Sequence, residues 1–520
     1  MMTGDRNGRG ADISQHRWYL SSVVLVLAVG ALYLFGAARC RGFGFPLDDA
    51  WIHQTYARSL AETGRFAYQP GPVSTGSTSP LWTLLLAVGY RLGIAPFVWT
   101  YLVGGASWLL TSWTAAALAG RLFPRQPGMG RWVGLACLVE WHLAWAAFSG
   151  METMLFTWLA LLLIERWLAG THPFVLGLVG GLLFATRPEG MVLVALVAVA
   201  TLLDWLRHRQ IGGERRIAGW LKVVTDLAAG FLVLCVPYVV LNQIASGQPF
   251  PSTFYAKQAE YRALLDLPLW VRLWHVMRRP LVGAQVMLLP GFMWQGVRWL
   301  RRQAGRAPAS DMEPSWLLVV LPIAWWAVYL GIYALLLPVD YQYGRYLMPT
   351  VPFLLIYGIA GTARWLQPRS QLVLVRVLSR AAILAVGCLF IAFLLVGGQA
   401  FAGDVCLING EMVDAALWVR VHTPPEAVIA AHDIGAIGYF AQRPLLDLAG
   451  LITPDVIPFI RDEQRLLEYV VHHGASYLIT FPSWYPNMVA DERLELRYQT
   501  QGQAVDLLER DHMAVYQIRR

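Results

Sequence analysis

Eleven apolar runs recur along the chain, near residues 18–38, 97–120, 131–148, 152–168, 173–186, 189–206, 218–241, 281–300, 316–337, 346–366 and 375–398. A bilayer core is crossed by about 20 apolar residues of helix, so these runs predict a polytopic α-helical membrane protein. Composition agrees, since 57% of the 520 residues are hydrophobic and 14% charged, outside the soluble balance. The 23 tryptophans suit helix ends at a membrane interface. The net charge of +8 resides in short arginine clusters between the runs, which read as topology signals and not as a nucleic-acid surface.

Arg6, Arg9 and Arg17 precede the first run, which reads as a retained span entering from the cytoplasm and not as a cleaved signal. The segment Pro80–Ala95, PLWTLLLAVGYRLGIA, is either a twelfth span or an interfacial piece. If it does not cross, the arginine clusters at 121–131, 207–216, 298–306 and 364–376 all fall on the side of the N-terminus, as the positive-inside rule asks. The other side then collects loop 39–79, the Ser149–Glu152 and Arg187–Gly190 turns, loop 242–280 and loop 338–345. Acids and bases from independent loops converging at one membrane face predict a substrate cleft there.

From about 402 the composition becomes that of a soluble domain. The reading divides the chain at 1–400 and 401–520, with a small α/β domain outside the membrane. Strands are expected at Val428–Ala431, Pro444–Leu448 and Tyr477–Phe481, with an edge strand at Met513–Ile518; a helix is expected over Asp462–His472. The Gly435-x-x-Gly438 pair lacks the rest of a dinucleotide fingerprint and reads as turn chemistry. Five cysteines show no metal-ligand spacing; Cys40 and Cys406 leave open both a disulfide on an oxidising side and two free thiols.

The polar residues of the outer loops carry the candidate chemistry. Asp48 and Asp49 open a short helix with Ile52, Tyr56 and Leu60 on one face, so that Asp48 caps the helix and the helix lies along the membrane surface. Two carboxylates at such a boundary are costly unless they bind a metal, a cation or a substrate hydroxyl. Residues 70–80, with Ser77 and Thr78, form a hydroxyl- and glycine-rich loop suited to a phosphate or sugar, or a plain exterior loop. Lys257 and Arg345, each beside aromatic residues, suit a phosphate or simply anchor the interface. Glu152, Arg187 and Glu189 are substrate-binding candidates with equally plain structural readings as a helix start and a turn ion pair. His53, one turn after Asp49, either completes an Asp48/Asp49/His53 metal set or is only polar.

The motifs Leu47-Asp-Asp-Ala50 and Gly76-Ser-Thr-Ser-Pro-Leu-Trp82 together resemble the GT-C class of membrane glycosyltransferases. Ser149-Gly-Met-Glu-Thr153, Thr186-Arg-Pro-Glu-Gly190, Pro251-Ser-Thr-Phe-Tyr-Ala-Lys257, Gly344-Arg-Tyr-Leu-Met-Pro349, Asp433-Ile-Gly-Ala-Ile-Gly-Tyr439 and Asp447-Leu-Ala-Gly-Leu451 are more closely similar to the group that includes the mycobacterial terminal β-(1→2)-arabinofuranosyltransferase. The resemblance implies a GT-C fold of about 11 transmembrane helices with juxtamembrane helices, in the bacterial cytoplasmic membrane and with the site facing outward. It implies a polyprenyl-phosphate sugar donor, arabinofuranose among the options, and an envelope glycan acceptor. Asp48 matches the catalytic acidic position and Asp49 its partner, while Glu152 falls at or near the second acidic position. Members of the class differ in metal use, so a divalent cation (Mg, Mn or Ca) stays open. A sugar hydroxyl needs a carboxylate to take its proton, Asp48 by this resemblance; Lys257 or Arg345 would meet the leaving phosphate, and segment 80–95 would wall the lipid groove. Rival expectations are a protein or lipid A glycosyltransferase of the same fold, and a lipid-linked sugar flippase.

Overall fold

Each apolar run becomes helical wholly or in part. The computed structural model describes residues 5–39, 42–71, 73–210, 217–303, 316–502 and 511–519. Among these, five helices are long and apolar enough to cross a membrane: Gln15–Ala38, Pro96–Leu122, Gly219–Ser246, Gln342–Trp365 and Val373–His422. A sixth arises if Trp141–Phe148 and Thr153–Leu168, bent by 118°, count as one. Met129–Val139, Pro173–Thr186, Gly190–Leu206 and Val320–Leu336 are apolar but shorter. Side chains of Arg6, Arg9, Arg207, Arg209, Arg302 and the residues Arg215, Arg216, Arg306 and Cys40 lie outside the described residues.

The expected span at 131–148 is interrupted by one residue. Glu140 is extended (φ −81, ψ 122), and its carboxylate accepts from Leu143 N at 2.9 Å and meets His142 Nδ1 at 2.7 Å. Glu140 and His142 are fully buried, so the carboxylate caps a new helix inside apolar surroundings where an unpaired charge would be costly. The expected span at 281–300 likewise starts late: residues 284–288 form a 3-10 turn and the helix runs Leu289–Gln303. Segment 80–95 yields the helix Pro80–Arg91, and 12 residues rise only about 18 Å, too little to cross alone.

The soluble part is a five-stranded sheet: β1 Ile429–Ala431, β2 Leu445–Asp447, β3 Tyr477–Thr480, β4 Leu494–Gln499 and β5 Ala514–Ile518. Its order is β2-β1-β3-β5-β4, with β1 parallel to β2 and β3, and β5 antiparallel to β3 and β4. The expected edge strand β5 is therefore internal. The edges are β2 and β4, and the half-exposed, charge-bearing sequence LELRYQ of β4 hid it from an apolar pattern and now discourages pairing with another chain. Asp462 caps the helix Glu463–His472 through Arg465 N at 3.0 Å.

The composition break at 402 falls inside a helix. Val373–Ile408 continues through the π turn Asn409–Val413 into Asp414–His422. The sheet domain packs over the helix Asp49–Thr63, where Trp51 meets Tyr439 and Phe440 with ring centroids 4.9 and 4.6 Å apart. That helix is consequently buried over Ala50–Ala57 and does not lie open on a membrane surface.

A charged cleft as candidate active site

The helix Thr153–Leu168 separates two chemistries. Its start carries Glu152 into a cleft, and its far end carries Glu165, paired with Arg121 at 2.9 Å in one of the basic clusters. The cleft holds about 290 Å³ and draws on every outer loop that the sequence singled out: Asp49, His53 and Thr78 from the first, Glu152, Arg187 with Glu189, Lys257, and Arg345. Leu451 of the sheet domain reaches it too. Its apolar wall is Met191, Val192, Phe250, Phe254, Leu336 and Leu337. No residue of segment 80–95 lines it, so the expected wall lies elsewhere: between the helix that begins at Gly190 and the helix that ends at Leu336.

The two aspartates face opposite ways. Asp49 lines the cleft, where its Oδ2 is paired with Arg345 Nη2 and lies 3.4 Å from Lys257 Nζ. Burial would raise the Asp49 carboxyl, but the Lys257 and Arg345 charges outweigh it and hold it well below the usual carboxylate range. Asp48 turns to the sheet domain and accepts from Gly435 N and Ala436 N, both at 2.7 Å. It makes no side-chain bond to its own helix, contrary to the expected cap: its carboxylate is turned to these two amides instead. Burial and the facing Asp433 raise the Asp48 carboxyl, while the two amide bonds act against them.

The same contact explains the glycine pair read as turn chemistry. A Cβ at Gly435 would overlap the Asp48 backbone oxygen, and one at Gly438 would overlap the Tyr68 hydroxyl. Both glycines exist for close approach between domains. Tyr68 also donates to Ile434 O across the seam.

The metal set does not assemble. Asp48 turns to the sheet domain while Asp49 faces the cleft, and His53 Nδ1 meets Ser77 Oγ at 3.1 Å while its Nε2 lies 3.4 Å from Glu152 Oε2. Among the described residues no group of three His, Cys, Asp or Glu side chains is placed to hold a metal ion. The hydroxyl-rich loop is also mostly satisfied internally: Ser77 bonds Thr83, Thr75 bonds Ser252 at 2.8 Å, and Gly76 N donates to Tyr56 at 2.8 Å. Of its two candidates, Thr78 lines the cleft, whereas Ser77 is buried behind His53.

Two groups in the cleft keep buried atoms without a hydrogen bond. Arg345 is 3% exposed, yet its Nε and Nη1 have no hydrogen bond. Glu152 is 4% exposed, yet its Oε2 has none either. Sequence reading missed the tyrosines that organise these charges. Tyr346 takes contacts from Lys257 Nζ at 3.2 Å and Arg345 Nη2 at 3.1 Å, and Tyr333 bonds both Glu189 and Arg187 Nη2, the latter at 3.0 Å. Tyr333 sits within an apolar run, where a hydroxyl four residues after that of Tyr329 was the available signal. Cys406 is disulfide-bonded, while Cys137, Cys235 and Cys388 are free.

A family model described as a domain of unknown function (DUF8728) matches residues 407–516. No curated protein matches the chain. Among solved structures the chain is similar to ArnT from Cupriavidus metallidurans bound to undecaprenyl phosphate, with TM-score 0.56 and 14% identity over 95% of this chain and 97% of that one. It is similar to the Archaeoglobus fulgidus oligosaccharyltransferase, with TM-score 0.60 and 11% identity over 89% and 69%. A mutant of the mycobacterial arabinofuranosyltransferase AftD gives TM-score 0.52 and 15% identity over 95% of this chain, which spans 41% of that one. The chain thus has the GT-C fold of multi-pass membrane proteins, with a small C-terminal sheet domain.

Proposed function

We propose that this protein is an inverting glycosyltransferase that moves a sugar from a polyprenyl-phosphate donor to a glycan hydroxyl. The observation that carries this reading is Arg345, a buried guanidinium with two unpartnered donors beside Lys257. Buried donors without acceptors are costly, and a phosphate supplies several oxygens in the geometry a guanidinium favours. Solved relatives of the same fold hold undecaprenyl phosphate or dolichol-phosphate. The apolar wall opposite the charges suits the lipid tail.

In the reaction an acceptor hydroxyl oxygen attacks the sugar's anomeric carbon, the bond from that carbon to the phosphate oxygen breaks, and polyprenyl phosphate leaves. The hydroxyl proton passes to a carboxylate. The sequence resemblance gives this role to Asp48; the geometry favours Asp49, the aspartate inside the cleft, with Asp48 holding the sheet domain in place. A donor phosphate that draws Arg345 and Lys257 onto itself loosens their hold on Asp49 and raises its basicity. With one base and no separate carboxylate nucleophile, direct displacement inverts the anomeric centre. The disulfide at Cys406 suits an oxidising, extracytoplasmic side. Arabinofuranose and an envelope glycan are the sugar and acceptor that the sequence resemblance favours.

The test is transfer by purified protein in nanodiscs from a panel of polyprenyl-phosphate sugars to a glycan extract, with and without EDTA. Transfer from one donor is expected. No transfer from any donor by folded protein overturns the reading and favours the flippase.

A further inference from the structure

The cleft has a second polar end, distinct from the Arg345 and Lys257 end. Glu152 Oε1 lies 3.6 Å from Arg187 Nε, and Arg187 Nε is 3.0 Å from Glu189 Oε1. His53 Nε2 stands 3.4 Å from Glu152 Oε2 without forming a hydrogen bond, and Ser77 fixes the other ring nitrogen at 3.1 Å. The carboxylate is thus flanked by Arg187 at Oε1 and by His53 at Oε2, and the buried Oε2 has no hydrogen bond of good geometry. Such an oxygen calls for an O–H donor from a ligand. Tyr346 stands between the two ends, its ring 5.0 Å from the Arg187 guanidinium and 4.9 Å from that of Arg345. Glu152 and Glu189 outnumber Arg187 in fixed charge here, so this end disfavours an anion while the Arg345 end attracts one.

We propose that Glu152 is a specificity-determining residue that accepts a hydrogen bond from a ring hydroxyl of the transferred sugar while the donor phosphate sits on Arg345 and Lys257. This rests on the function proposed above and adds what that reading leaves open: the sugar is neutral and read through one hydroxyl, and a uronic acid is rejected. His53 and Arg187 are positioning residues that hold the carboxylate to the hydroxyl.

The experiment measures equilibrium binding in nanodiscs of undecaprenyl phosphate alone and of undecaprenyl-phosphate sugars. The sugars are a neutral pentose, its singly deoxygenated analogues and a uronic acid. In the wild type the neutral sugar adds affinity over the bare lipid phosphate and the uronic acid adds none. Glu152→Gln keeps the affinity for the bare lipid and loses about tenfold or more of the sugar's contribution. One deoxy analogue is insensitive to the substitution, which identifies the hydroxyl. If Glu152→Gln does not fold, Glu152→Asp, which keeps the charge opposite Arg187, reads the same difference. Equal loss for bare and sugar-bearing lipid, or loss for neither, overturns this inference alone. A wild type that binds no undecaprenyl phosphate overturns the proposed function, and this inference with it.

Discussion

The carboxylate of Asp48 and the backbone amide of Gly435 lie 2.7 Å apart although 387 positions separate them in the chain. This bond, with its neighbour to Ala436, ties the first outer loop to the turn that follows β1. It places one aspartate of the pair at a domain seam and leaves the other to the cleft.

Breaking that seam costs stability from either side. Asp48→Ala leaves two buried amides without an acceptor, about 1–3 kcal/mol for each. Gly435→Ala forces a methyl into the Asp48 backbone oxygen, about 1–3 kcal/mol or more. Thermal unfolding in detergent measures both, and the double variant is expected to cost less than the two together because they break one contact. Full additivity would show that the seam is not shared.

Asp49→Asn is expected to lower transfer by about 10²–10⁴-fold, as loss of a general base does, and to lower the melting temperature as well, because it removes the charge paired with Arg345 and Lys257. Asp48→Asn keeps one acceptor oxygen for the amides and is expected to lower activity less than Asp49→Asn does. If the order is reversed with both proteins folded, the base is Asp48.

Arg345→Lys keeps the charge but not the planar fork. Undecaprenyl phosphate binding should weaken by about tenfold or more, as for a lost charge-assisted bond. Unaltered binding would place the phosphate elsewhere.

The seam should respond to pH. Burial, with the Asp49 and Glu260 charges, pushes the Asp433 carboxyl up to about 6 against the opposing pull of His432 and Lys257, and Asp48 faces it as well. A raised carboxyl contributes stability that is complete below about pH 4 and lost as pH rises through about 6. The part-exposed site keeps this to about 1–2 kcal/mol. Wild type should therefore melt higher at pH 5 than at pH 7, and Asp433→Asn should narrow that gap. A gap of the same size in the variant would locate the effect in other groups.

Much of the site was legible because membrane segments expose few polar residues. Glu152, Arg187, Glu189, Lys257 and Arg345 stood out against apolar sequence, and the cleft gathers all of them. What the sequence hid was orientation. Asp48 and Asp49 are neighbours of one type, and only the sheet domain's amides decide which turns inward. His53 at i+4 from Asp49 suggested a shared metal, yet Ser77 bonds one ring nitrogen and Glu152 lies 3.4 Å from the other, contacts no local pattern encodes. Glu140 escaped notice because hydropathy averages over a window, and one capped carboxylate hardly alters the mean. Strand β4 was missed and β5 misplaced for the related reason that pairing order is non-local.

The helix that runs from Val373 through the π turn Asn409–Val413 to His422 joins bundle and sheet domain, so that a displacement of the sheet domain has to carry or bend this helix with it.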